Sequence, residues 1–86
     1  MATVFVPAIL RALVPVTRVA VRGATVGDVI DELEALYPGV AALLVDDDDI
    51  MPGVAVSIND QAGQMGLFEP VPEDAEVHFL PALSGG

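Results

Sequence analysis

The sequence predicts an α+β fold in which one main helix packs across one face of a mixed β-sheet. Short segments of alternating apolar residues lie on both sides of a single segment with helical periodicity, in the order strand, strand, helix, strand, strand. The helix fills the gap that a crossover between parallel strands requires. We therefore expect the first and last strands to be adjacent and central in the sheet.

Composition indicates one small domain. The chain has 86 residues, 53% of them hydrophobic and 19% charged, which argues against disorder. No apolar run approaches the roughly 20 residues that cross a bilayer, and the first residues lack the pattern of a secretory signal. The absence of cysteine excludes a disulfide framework and cysteine catalysis. We expect a cytoplasmic protein with no membrane partner.

The charge balance narrows the class of partner. Thirteen acidic and three basic residues give a net charge of −10, which excludes a typical nucleic-acid surface because phosphate binding depends on Lys and Arg. A basic protein partner suits this charge better. The three basic residues are all arginines, so only the α-amine offers a nitrogen that an acyl group can modify.

The amino-terminal part predicts a β-hairpin. Thr3–Val6 is rich in residues that favour strands, and Val16–Arg22 places Val19 and Val21 on one face. The connection, residues 8–15, is apolar and too long for a two-residue turn.

The clearest helix follows. Thr25 suits the N-cap, Asp28 stands near the last position of a capping box, and Pro38-Gly39 ends the pattern. One apolar face is predicted, on which the residues at helical spacing are Val26, Val29, Ile30, Leu33, Leu36 and Tyr37.

Two acidic stretches are interpreted as hydrated surface. Asp31, Glu32 and Glu34 lie on the other face of the helix. Asp46–Asp49 resembles a cluster of calcium ligands, but it lacks the alternating spacing, central glycine and terminal glutamate of an EF-hand. We expect an exposed loop there and no metal site.

The second half predicts a short helical turn at Val40–Val45 and a strand at Val54–Ile58. Residues 61–74 have little periodicity and predict a loop with a short edge strand near Leu67-Phe68. A last strand follows the turn at Pro72–Asp74.

The alternation of the last strand assigns its two faces. Val77 and Phe79 point toward the helix, and His78 and Leu80 point away from it. The predicted core consists of Val4, Val6, Val19, Val21, Val29, Ile30, Leu33, Val56, Ile58, Val77 and Phe79.

The sequence contains no catalytic constellation. His78 is the only histidine, and no P-loop, dinucleotide motif or G-x-S-x-G is present. The carboxyl group of Gly86 remains as a reactive group, if ATP activates it to an acyl-adenylate. Glycine leaves that carbonyl accessible and lets the backbone enter a narrow channel. We therefore divide the chain into a domain, residues 1–80, and an extended tail, residues 81–86, with a reach of roughly 20 Å.

These features together resemble the ubiquitin-like β-grasp sulfur carriers of the MoaD/ThiS family. The resemblance covers nearly the whole chain and depends on four stretches together, the last of which ends in Gly-Gly. The four are Pro7–Arg11 after the opening strand, Thr25–Leu33, Tyr37–Val40 and Phe79–Gly86.

The resemblance implies a non-catalytic carrier that holds no cofactor. A ubiquitin-activator-like enzyme would use ATP to adenylate Gly86, a sulfur donor would convert it to a thiocarboxylate, and an acceptor enzyme would take the sulfur. His78 and Leu80 would bind these partners, although Leu80 could instead only close the edge of the core. The tail residues that would deliver Gly86 are Pro81, Ala82, Leu83, Ser84 and Gly85.

The sequence leaves several alternatives for the enzyme that would accept the sulfur. Pro7–Arg11 resembles carriers that feed cysteine synthesis, which favours a cysteine-synthase-like acceptor. Residues 59–67 lack the arginine of many relatives, and the first connection lacks their usual glycine. The alternatives are the small subunit of molybdopterin synthase, acting with its large subunit, a ubiquitin-like modifier joined to lysines, and a binding module with an inert tail.

Overall fold

The computed structural model describes residues 1–81. The strands are β1 (Ala2–Phe5), β2 (Arg18–Val21), β3 (Val45–Asp46), β4 (Asp49–Ile50), β5 (Val54–Ile58), β6 (Gln61–Ala62) and β7 (Glu76–Pro81). The helices are α1 (Val26–Leu36) and α2 (Val40–Leu44), with 3₁₀ turns at Ala8–Leu10 and Gly66–Phe68. Within the described residues, no helix is both long and apolar enough to span a bilayer.

Five strands form one mixed sheet in the order β2-β1-β7-β5-β6. β1 and β7 run parallel, with Val4 opposite Val77 and Phe5 opposite His78. The other neighbouring pairs are antiparallel. The prediction that the first and last strands are adjacent and central is therefore confirmed, as is the single main helix across one face.

All eleven predicted core residues are buried. Further apolar residues are buried as well, and two of them, Leu10 and Val14, lie in the long connection between β1 and β2. Leu36 differs from its predicted place on the apolar face of α1, since it is 54% exposed. It belongs to the last turn of α1, where Tyr37 packs against the core instead.

The start of α1 is capped as predicted. The Thr25 hydroxyl accepts a hydrogen bond from the Asp28 amide at 3.2 Å, and the Asp28 carboxylate accepts one from the Ala24 amide at 3.1 Å. These contacts satisfy amide groups that have no partner inside the helix.

Glu34 corrects the interpretation of the acidic face of α1 as hydrated surface alone. Its carboxylate accepts hydrogen bonds from the Gly39 amide at 3.0 Å and the Ala41 amide at 2.9 Å, at the start of α2. The hydrogen bonds from Ala41 and then Gly39 lower the pKa of Glu34 below its ordinary value of 4.5. Gly39 allows this turn because its φ of 105° is in the left-handed region.

Asp46–Asp49 is exposed, as expected, but it forms the end of a β-hairpin where we expected a loop. β3 and β4 pair across it, with Asp46 opposite Asp49. Asp47 takes a left-handed φ of 54°, which aspartate tolerates better than most residues and which suits a two-residue turn. Among the described residues no group of three His, Cys, Asp or Glu side chains is placed to hold a metal ion.

The edge strand predicted near Leu67-Phe68 is also misplaced. The edge strand in this half of the chain is β6, which follows a tight turn in which Asn59 and Asp60 have φ values of 51° and 68°. Leu67 and Phe68 instead belong to the 3₁₀ turn Gly66–Phe68, where Leu67 packs against the core. Positive φ at both turn residues matches the twist of a β-hairpin, so β5 continues directly into β6.

The boundary between domain and tail needs a smaller correction. Pro81, predicted as the first tail residue, is the last residue of β7 and lies opposite Val54. A proline suits this end position because its φ fits an extended chain and no later pair needs its missing N–H. The rest of the predicted tail, residues 82–86, lies outside the described residues.

Candidate functional site

The strand alternation leaves one face of the sheet without a helix. We call this the open face and define it by Arg18, Phe5, His78, Ser57 and Leu80. The first four form a row across four strands, since Phe5 is opposite both Arg18 and His78, and His78 is opposite Ser57. Leu80 lies two residues beyond His78 on β7, as predicted from the sequence.

Two aromatic rings form the centre of the open face. The imidazole of His78 stacks on the Phe5 ring with 4.3 Å between centroids and 6° between planes. The Cζ atom of Arg18 lies 5.6 Å from the centroid of the Phe5 ring, within the range of a cation–π contact. The row therefore combines a flat aromatic surface, formed by Phe5 and His78, with the positive charge of Arg18 at one side.

His78 lies beside a carboxylate without a close ion pair. Its Nε2 is 4.0 Å from Oε1 of Glu76, and its side chain is 31% exposed. The stacking on Phe5 holds the ring in place while one edge stays accessible to a partner. The role predicted for His78 in partner binding fits this position and stays a prediction.

A small apolar groove lies where β7 ends, and we call it the tail-root groove. It encloses about 170 Å³. Ile9 from the first connection is 55% exposed and Leu80 is 45% exposed. Leu80 is therefore partly accessible, and its predicted role in partner binding stays a prediction. The side chains and backbone lining the groove come from Pro7, Ala8, Ile9, Gly53, Val54, Phe79, Leu80 and Pro81.

The α-amine lies at the other end of the sheet. β1 and β7 are parallel, so Met1 is close to the start of β7 while the tail-root groove is at its end. The amine contacts Glu73 at 2.9 Å and Asp74 at 3.6 Å. The hydrogen bond to Glu73 is the main reason that the pKa of the amine is raised above 8.0.

The structure thus places three of the predicted site residues, His78, Leu80 and Pro81, on β7. Ala82, Leu83, Ser84, Gly85 and Gly86 lie outside the described residues. Sequence reasoning did not assign Phe5 and Arg18 to the site. The signal was present, because Val4 and Val6 alternate into the core and leave Phe5 on the opposite face.

Comparison with known proteins decides the family. The ThiS family model matches residues 4–86. The chain belongs to the ThiS family. The sulfur carrier protein CysO of Mycobacterium tuberculosis is 35% identical over 92 aligned residues, which cover 98% of this chain and 97% of the relative.

Solved structures of ThiS-like proteins superpose over almost the whole chain. The Amycolatopsis orientalis BexX/CysO complex matches with a TM-score of 0.90 and 32% identity, covering 100% of both chains. Mycobacterium tuberculosis CysO matches with a TM-score of 0.87 and 31% identity, covering 96% of this chain and 100% of its own. Small archaeal modifier protein 1 of H. volcanii gives 0.72 and 26%, with 95% and 97% covered. The predicted family and β-grasp fold are confirmed.

Proposed function

We propose that this chain is a cytoplasmic, non-catalytic sulfur carrier that supplies cysteine-type biosynthesis. The observation that carries the proposal is the 35% identity to CysO sulfur carriers across 98% of the chain. The TM-score of 0.90 with one chain of the BexX/CysO complex supports it, because the match covers 100% of this chain and 100% of the matched chain.

The chemistry takes place at Gly86. Its carboxylate attacks the α-phosphate of ATP on a ubiquitin-activator-like enzyme, and pyrophosphate leaves. A sulfur nucleophile then attacks the carbonyl carbon of the acyl-adenylate, and AMP leaves. The resulting thiocarboxylate carries sulfur to a cysteine-synthase-like acceptor. The carrier itself contributes the acyl group and a binding surface, while ATP and the sulfur donor come with the partners.

The open face is suited to hold such partners close to the tail. Leu80 and the tail-root groove lie at the point where β7 ends. The five residues that follow Pro81 span at most roughly 17 Å when extended. A partner that binds the open face beside Leu80 therefore has Gly86 within reach of an active site on the same surface. The BexX/CysO complex supports the idea that a CysO-type chain assembles with another protein.

The direct test is mass spectrometry of the intact chain. After incubation with the adenylating enzyme of the same organism, ATP and sulfide, we expect a mass increase equal to replacing one oxygen by sulfur. Deletion of Gly86 should abolish the change, whereas Phe68→Ser, a surface substitution on the helix side, should retain it. An unchanged mass with an enzyme that activates another carrier would contradict the proposal.

A protein modifier is the second candidate, supported by the fold match to small archaeal modifier protein 1. In that role the acyl group of Gly86 is transferred from the adenylate, directly or through an enzyme thioester, to a lysine amine; AMP leaves the adenylate and an isopeptide bond forms. The same incubation in cell extract distinguishes the two roles. Stable adducts that resist thiol treatment support the modifier, and thiocarboxylate without adducts supports the carrier.

The molybdopterin-synthase alternative for the acceptor stays a prediction. Its test is transfer of sulfur from the thiocarboxylate to the substrate of a purified large subunit, compared with transfer to a cysteine-synthase-like enzyme. Formation of cysteine in the second reaction alone would support the proposed pathway.

A further inference from the structure

We propose that Arg18 orients the partner on the open face by pairing with a carboxylate of that partner, while Leu80 contacts an apolar group of the same partner. This inference rests on the proposed carrier function and adds the chemistry of the surface that recognises the carrier. The occupant of the open face is therefore a protein surface with a basic surround, one acidic side chain and one apolar side chain.

Arg18 is free of ion pairs among the described residues. Its side chain is exposed on β2, and none of the ion pairs between described residues includes it. The chain has thirteen acidic residues, so a guanidinium that contacts an aromatic ring instead of a carboxylate keeps its donors available. Arginine can bind a carboxylate with two parallel hydrogen bonds, which fixes orientation as well as distance.

The aromatic rings of the open face hold the guanidinium of Arg18 in position. The Phe5 ring lies under the guanidinium at 5.6 Å, and the His78 ring stacks on Phe5 at 4.3 Å. This aromatic pair restricts where Arg18 can lie before a partner arrives, so less conformational entropy is lost on binding. A surface arginine without such a platform would be a weaker orienting group.

The positive charge of Arg18 contrasts with the net negative charge of the chain. A net charge of −10 attracts a basic partner from a distance but does not select one orientation. Arg18, the only arginine among the residues that define the open face, does select one, because a partner carboxylate is attracted there and repelled by the acidic surface elsewhere. The net negative charge of the chain thus attracts the partner, and the positive charge of Arg18 orients it.

The geometry also sets a spacing for the partner. Arg18 and His78 lie two strands apart, and Leu80 is two residues farther along β7. With about 4.8 Å between strands and about 3.4 Å per residue, the Cα atoms of Arg18 and Leu80 are separated by about 12 Å. The partner therefore presents a carboxylate on the β2 side of the sheet and an apolar side chain next to the tail-root groove.

The experiment measures ATP-dependent pyrophosphate release by the purified adenylating enzyme of the same organism, as a function of carrier concentration. We compare Arg18→Glu with Arg22→Glu, which makes the same charge change at a residue beside Met1, far from the tail-root groove. We expect Arg18→Glu to raise KM about tenfold or more with little change in kcat. Arg22→Glu should leave KM within about threefold of the wild-type value. Arg18→Lys should restore part of the loss.

Folding is monitored by thermal unfolding, and Arg18→Gln serves as a milder variant that adds no negative charge. Equal KM values for the Arg18→Glu and Arg22→Glu variants, with an active wild-type carrier, would overturn the role of Arg18 while leaving the carrier function intact. Absence of pyrophosphate release with the wild-type carrier would overturn the proposed function, and this inference with it. A rise in KM confined to the Arg18 variants supports the inference.

Discussion

At the scale of single residues, exposure alone does not identify a binding group. Phe68 is 76% exposed and Leu80 is 45% exposed, yet their surroundings differ. Phe68 ends a 3₁₀ turn that packs against α1, on the side of the sheet away from the open face. Leu80 belongs to the open face and also lines the tail-root groove. Position relative to the tail therefore distinguishes them.

These two side chains give a matched pair of substitutions. We expect Leu80→Ser to raise the KM of the carrier for its activating enzyme about tenfold, because an apolar anchor at the centre of an interface contributes strongly to binding. Phe68→Ser should leave KM within about twofold. The measurement is ATP-dependent pyrophosphate release with each purified variant. The reverse result, with Phe68→Ser as the impaired variant, would place the interface on the helix side.

At the scale of elements, the junction between α1 and α2 depends on one carboxylate. Glu34 is charged when it accepts the amide hydrogen bonds of Gly39 and Ala41, which lowers its pKa in the folded chain. Its contribution to stability is therefore complete above about pH 4.5, its ordinary pKa. The contribution is lost as the pH falls through the lower pKa of the folded state.

Replacement of this carboxylate tests the junction directly. We expect Glu34→Gln to lower the melting temperature by a few degrees at pH 7. The difference from wild type should shrink at pH values below the folded pKa, where Glu34 is protonated as well. Glu32→Gln is the control, because Glu32 accepts none of the described backbone hydrogen bonds. A difference that stays constant down to the lowest pH at which the chain remains folded would show that the charge on Glu34 is not responsible.

The elements also show which features a single sequence can predict. Periodicity located α1, β5 and β7, because each buries one side of a regular element. It did not find the pairing of β3 with β4, which depends on the left-handed Asp47 rather than on apolar alternation. The contacts of Glu34 across the turn were missed for a similar reason, since they join residues outside one helical repeat.

At the scale of the whole molecule, the parallel pairing of β1 and β7 places the amine of Met1 and the tail-root groove at opposite ends of the sheet. The ion-paired amine of Met1 is at one end, and the tail-root groove is at the other. The order of elements predicted this arrangement, because a helical crossover brings the first and last strands together. The residues that form the open face were harder to predict from the sequence. The stack of His78 on Phe5 depends on the pairing register of β1 and β7, which are far apart in the chain.

The net charge of −10 leads to a prediction about encounter with a basic activating enzyme. Salt screens the attraction over a distance of about 10 Å at 0.1 M ionic strength, so kcat/KM for the carrier should fall as salt is added. Asp31→Asn removes one negative charge from α1 and should make this dependence shallower, whereas Arg22→Gln removes a positive charge and should make it steeper. Pyrophosphate release at low carrier concentration over a salt series measures all three slopes. A rate that rises with salt in the wild-type chain would mean that the enzyme surface is acidic, and the long-range part of the recognition scheme would then be wrong.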